Sequence, residues 1–237
     1  MTPLRVLAAG SLRPVWPALV AAWGSPVNTD FGPAGLLRER ILAGESCDLF
    51  ASANTAHAEH LRQCGLAQQT GRFAANSLCL TVKRDRVRPG EDWLTVLTRP
   101  DLRLATSTPH SDPSGDYTWQ LFAAIEQRQH GMGRLLENKA RCLVGGPQSL
   151  IVPPGELAAR WLLAQDHADM FIGYTSYAPR LAVCPELHIF TIPPACNIRA
   201  EYAWALCQPS AQSLADFLQS PVAQQILSQN GFLPVMA

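Results

Sequence analysis

The sequence predicts an α/β protein built on mostly parallel sheets. Three observations carry that reading: apolar runs of strand length recur along the chain, segments of helical periodicity alternate with them, and Pro- or Gly-rich turns mark the joins. A sandwich would run strand after strand and a bundle helix after helix. Neither pattern is present.

The first strand is LRVLAA, residues 4–9, and it stops at Gly10-Ser11. An apolar-periodic segment follows at once over residues 13–23, through Val15, Trp16, Leu19 and Val20, so Ser11 stands where a strand runs into a helix. The turn FGPAGLL opens a helix expected over 35–43, and the strand CDLFAS (47–52) leads to a helix over 55–63. SLCLTVK (77–83) and LRLATS (102–107) read as strands. The turn STPHSDPSGDY precedes a helix over 115–129, and GGPQSLIVPPGEL precedes another over 156–165. ADMFIGY (168–174), LHIFTI (187–192) and YAWALC (202–207) complete the strands, and helices over 210–218 and 221–229 close the chain. Ligands of open α/β sheets bind beyond the carboxyl ends of the strands, where helix N-termini offer unpaired N–H groups and a positive dipole end. Ser11 lies at such an end.

Bulk properties narrow the ligand. A chain of 237 residues is long enough for one large domain or two smaller lobes with their own cores. Nineteen Lys and Arg balance nineteen Asp and Glu, and the absence of a long basic block argues against a nucleic-acid surface or a membrane patch. A small anion stays open, because a few oriented N–H and O–H dipoles can hold one in a dry pocket. No apolar stretch approaches the roughly 18 residues that span a bilayer. MTPLRV enters the first strand without a secretory leader, so the chain reads as cytoplasmic if complete, or as a mature form whose leader was removed. Seven cysteines without CxxC spacing argue against a zinc site and a fully paired disulfide framework. Most read as buried thiols, with a bridge among Cys184, Cys196 and Cys207 left open.

Taken singly, the candidate residues have ordinary readings. Ser11 can be a helix N-cap, and it lacks the G-x-S-x-G elbow of a nucleophile. Tyr174 can be a core residue with its hydroxyl at a rim. His57 and His60, spaced i, i+3 without a further ligand, read as surface histidines, and no metal site is expected. Arg38 and Arg40 read as a solvated face near Glu39.

Taken together, VLAAGSL, LLRERILAGESCDLFASAN, NSLCLTV, DPSGDY, ADMFIGYTS and FLQSPVAQQILSQNGF occur in an order that resembles the molybdate-binding proteins of ABC importers, a branch of the type II periplasmic binding-protein fold. The resemblance implies two lobes, each a mostly parallel sheet flanked by helices, with the ligand in the cleft between them. Lobe 1 would comprise residues 1–80 and 195–237, and lobe 2 residues 81–194. The tail would return to lobe 1 through Val222, Ile226 and Leu227.

In the family an oxyanion is held without a cationic side chain. By that resemblance Ser11 would donate its hydroxyl and N–H. Ala34, standing where the family has a second serine, or Gly35 would donate an N–H. Ser114 and Glu156 would donate backbone N–H groups, and Tyr174 its hydroxyl. The implied protein is a solute-binding protein with no catalytic activity and no cofactor. It would pass molybdate or tungstate to the membrane permease of an ABC importer and would be periplasmic if a leader has been removed. Sulfate, phosphate or a small carboxylate in the same cleft is the alternative, since Ala34 lacks a hydroxyl and Glu156 brings a carboxylate. A cytoplasmic ligand sensor is the other.

Overall fold

In the computed structural model, which describes residues 2–236, LRVLAA forms β1 (Leu4–Ala9) and passes through a 3-10 turn, Gly10–Leu12, to α1 (Trp16–Trp23). Next come β2 (Val27–Gly32), α2 (Ala34–Leu42), β3 (Leu49–Ser52), α3 (Thr55–Gln63) and β4 (Gln69–Asn76). A second series follows: β5 (Leu78–Lys83), α4 (Trp93–Thr98), β6 (Leu104–Ser107), α5 (Pro113–Arg128), α6 (Met132–Lys139) and β7 (Arg141–Val144). It ends with α7 (Ala158–Ala164), β8 (Met170–Tyr174), α8 (Ala178–Leu181) and β9 (Leu187–Thr191). The chain finishes with β10 (Ala200–Leu206), α9 (Gln212–Leu218) and α10 (Pro221–Gln229).

These elements divide into two compact units, Met1–Asn76 with Ala200–Ala237, and Ser77–Arg199. The crossings fall a few residues from 80 and 195 because β4 ends at Asn76 and β5 starts at Leu78, with only Ser77 between them. The strands between Ser77 and Arg199 therefore pair inside the second unit.

Each unit holds a five-stranded sheet, in the orders β2-β1-β3-β10-β4 and β7-β6-β8-β5-β9. In the first, β1 pairs parallel with β2 and β3, while β10 runs antiparallel to both β3 and β4. In the second, β6 pairs parallel with β7 and β8, while β5 runs antiparallel to β8 and β9. Four strands of each sheet thus share one direction. The reversed strand is in each case the one that enters from a crossover.

Burial explains why these runs became strands. Val6, Leu7 and Ala8 of β1 and Leu49, Phe50 and Ala51 of β3 are fully enclosed, and each large apolar side chain so placed contributes about 1.5–3 kcal/mol. Of the residues expected to dock the tail, Leu227 is buried and Ile226 half-buried, and only Val222 is turned away. Ala223, one helical turn before Leu227, is buried with it. Charge collects at the amino ends of the parallel strands. Arg5 pairs with Asp30 and Glu45 in one unit, and Arg103 with Asp166 and Asp169 in the other. Hydrogen bonds from Arg103 hold the Asp169 carboxyl down at about 2.

Candidate functional site

Ser11 lies in the 3-10 turn directly beyond β1 and is 9% exposed. Ala9 takes the N-cap position and no side chain caps the turn, so the Ser11 hydroxyl is not a cap. Its Oγ lies 2.8 Å from Oη of Tyr202, a fully buried residue of β10. The Tyr202 oxygen also accepts from Asn76 Nδ2 at 3.4 Å. A phenol has one proton. In the arrangement where it goes to Ser11 Oγ, the serine keeps its own proton for a further acceptor.

The next donors stand beyond the neighbouring strand. β1 and β2 end side by side, with Ala9 opposite Gly32, and α2 starts two residues later at Ala34. Pro33 is the N-cap residue and supplies no capping side chain; the helical ladder begins with Leu37 N–H on the Pro33 carbonyl at 3.0 Å. The N–H groups of Ala34 and Gly35 precede that ladder, as the first-turn donors of any helix do. Both residues are buried. The structure therefore brings Ser11, Ala34 and Gly35 to adjoining strand ends within one unit.

The second unit presents a different helix start. Ser114 is the second residue of α5, but Asp112 caps that helix, its Oδ1 accepting from Ser114 N–H at 3.1 Å. Gly115 N–H bonds to the Asp112 carbonyl at 2.9 Å, Asp116 N–H reaches the same oxygen at 3.4 Å, and Pro113 has no N–H. The expected Ser114 N–H is thus already engaged, because D-P-S-G closes on itself as a capped helix start. Burial pushes the Asp112 carboxyl up to about 6, against the pull of Ser114 N–H and the Ser107 hydroxyl. Gly145, at φ 77°, lets the carboxyl sit this close, since a Cβ there would lie 2.6 Å from Asp112 Oδ2.

Tyr174 is the last residue of β8, beside β6, and is 4% exposed with its hydroxyl oxygen buried. Glu156 departs from expectation. It lies in an exposed turn before α7, and its N–H bonds to the Pro153 carbonyl at 3.1 Å.

His57 also differs from its surface reading. It is buried at the start of α3, with Arg38 Nη1 donating to its Nδ1 at 3.0 Å. Burial pushes its pKa down to about 4. Since arginine only donates, Nε2 carries the ring hydrogen, and it is buried without a hydrogen-bond partner. Sequence reasoning passed over Tyr202 and Asn76, and it read the DPSGDY turn without the capping role of Asp112. Only Asp112 left a signal, the Asp-Pro pair of a capped helix with proline in its first turn. Among the described residues no group of three or more His, Cys, Asp or Glu could hold a metal ion, and no helix is long and apolar enough to cross a membrane.

A family model described as bacterial extracellular solute-binding protein matches residues 4–233. An uncharacterized protein of Pasteurella multocida (strain Pm70) is 44% identical over 98% of both chains. Among solved structures, the sulfate-binding protein SubI of Mycobacterium tuberculosis H37Rv aligns with a TM-score of 0.79 at 20% identity, over 99% of this chain and 88% of that one. The periplasmic molybdate-binding protein of Azotobacter vinelandii aligns with a TM-score of 0.76 at 18% identity, over 98% of this chain and all of the other. At such identities the two structures share the fold with this chain.

Proposed function

The chain belongs to the bacterial extracellular solute-binding protein family, and from that premise we propose that it captures a small tetrahedral oxyanion, molybdate or tungstate first. Proteins of this family bind substrates for ABC permeases and are not enzymes, and the family's extracellular description favours a periplasmic setting. The observation that carries the ligand class is the donor set of the first unit. A buried serine hydroxyl backed by Tyr202 stands beside the first turn of α2, which no side chain caps. Such a helix start suits an anion without any cationic side chain, because N–H groups and dipole act together.

In this reading Ser11, Ala34 and Gly35 of the first unit hold the ligand, and Tyr174 keeps the hydroxyl-donor role that the resemblance implies. Ser114 and Glu156 take a lesser place, since both N–H groups are engaged. Sulfate is the second reading, favoured by the alanine at position 34, which leaves one hydroxyl fewer for a larger oxyanion.

Thermal unfolding of the dialysed protein with molybdate, tungstate, sulfate, phosphate or buffer alone tests the proposal. At about one hundred times its dissociation constant, the true ligand stabilises the fold by roughly 2.7 kcal/mol, a clear rise in midpoint. A rise with molybdate and tungstate alone supports the first reading. A rise with sulfate alone replaces it with the second, and no rise with any of the four refutes the oxyanion assignment.

A further inference from the structure

A pair of thiols lies at the end of the first unit's sheet opposite Ser11. Cys47 precedes β3 and Cys207 follows β10, and these strands pair antiparallel with Leu206 opposite Leu49. The N–H groups of Cys207 and Gln208 both bond to the Asp48 carbonyl at 3.0 Å, so the two cysteines leave the sheet at the same point. Their side chains meet. The two sulfurs interact with one another, and Cys207 also donates to the Ala205 carbonyl at 3.8 Å. Cys47 is buried, yet it lines an open pocket of about 440 Å³ with Arg5, Asp48, Gln208 and Ser210.

The other five thiols lack such a partner position. Cys64 and Cys142 are exposed, Cys79 donates to the Tyr174 carbonyl, Cys184 packs in an apolar cluster, and Cys196 meets Arg128. Of Cys184, Cys196 and Cys207, the trio left open for a bridge, only Cys207 faces another cysteine here.

We propose that Cys47 and Cys207 are a redox pair that closes to a disulfide by exchange with a protein disulfide oxidant. The inference rests on the extracellular setting of the family, where such oxidants act. Cys207 is the attacking sulfur, since it is the more exposed of the two, Cys47 being buried. Its thiolate attacks the oxidant's disulfide, and one oxidant sulfur leaves and takes a proton. Cys47 then loses its proton and attacks the Cys207 sulfur, releasing the second oxidant sulfur as a thiol. Two thiols of this chain are oxidised and one disulfide of the oxidant is reduced to two thiols. The bond joins the segment before the second unit to the segment after it, and so fastens β10 into its sheet.

The test uses the full chain, first reduced and then equilibrated with oxidised glutathione, alkylated with iodoacetamide in denaturant and mapped by peptide mass. The expected result is a peptide linked through Cys47 and Cys207, absent after dithiothreitol, with a higher unfolding midpoint for the linked form. Alkylation of both Cys47 and Cys207 after oxidation, or a link through any other pair, overturns the proposal. Cys207→Ser checks the assignment from the other side: its oxidised form should leave Cys47 alkylated and the midpoint unmoved. Because oxidation is imposed in the tube, failure bears on the thiol pair and leaves the family's setting and the oxyanion reading untouched.

Discussion

The starts of α2 and α5 are the most informative comparison in the molecule. Both helices begin just past the carboxyl end of a strand, and both open with a proline at or next to the cap. At α5 the cap residue is Asp112, whose carboxyl takes Ser114 N–H, while its carbonyl takes the next two. At α2 the cap residue is Pro33, which has no side chain able to accept. One helix end is closed by its own carboxylate. The other keeps its donors and its dipole for something from outside. The difference lies in one residue at each end, and it is what favours the first unit's helix for the proposed anion.

Exchanging that residue should break the comparison with the largest effect. Pro33→Asp would give α2 the cap that α5 has, setting a carboxylate against the ligand. Unit charges about 4 Å apart repel by about 4 kcal/mol at an effective dielectric near 20. Oxyanion affinity, measured by titration calorimetry, should therefore fall by at least about a hundredfold, with the melting midpoint held or raised by the new cap. An affinity within a factor of three of the parent would remove the start of α2 from the site.

The next effect sharpens the role of the hydroxyls. Ser11→Ala removes a hydrogen bond to a charged ligand and should cost about 1.5–3 kcal/mol of binding. Tyr202→Phe leaves Ser11 in place but takes away its partner, and should cost about 0.5–1.5 kcal/mol. The order of the two separates direct contact from alignment. A Tyr202→Phe loss as large as that of Ser11→Ala, with circular dichroism unchanged, would mean that the tyrosine itself reaches the ligand.

How much of this was legible depended on whether a feature is local. Ser11 at a strand end and the turn before α2 could be read because an apolar run stops and a helical period starts within a few residues. The Ser11–Tyr202 contact could not, since 191 residues separate its partners and only the return of β10 to the sheet joins them. Three strands were missed, β2, β4 and β7, and all three are sheet edges. Edge strands bury fewer side chains, so VNTDFG and RCLV carry neither a continuous apolar run nor a clean alternation. His57 was read as a surface residue because no further ligand stands at metal-binding spacing from it and His60. Its place in the first turn, against Arg38 of α2, is a tertiary fact.

The smallest expected effect concerns the closed helix end. Asp112→Asn keeps a good cap, because asparagine accepts from the first-turn N–H as aspartate does, and it removes the charge alone. In the folded protein the Asp112 carboxyl is raised to about 6 by burial, above its ordinary value of 3.8. Its protonated form is therefore favoured by folding, and the stability this adds is complete below about pH 3.8 and lost as pH rises through 6. Because the residue is partly exposed, the effect should be near 1 kcal/mol rather than the larger figure its shift alone implies. Denaturant unfolding between pH 4 and 7 should show wild type losing that increment and Asp112→Asn losing none of it. If the two curves run parallel, the carboxylate is better hydrated than its burial indicates. The α5 start would then differ from that of α2 only in having its hydrogen bonds filled, leaving a neutral, satisfied end facing an open one.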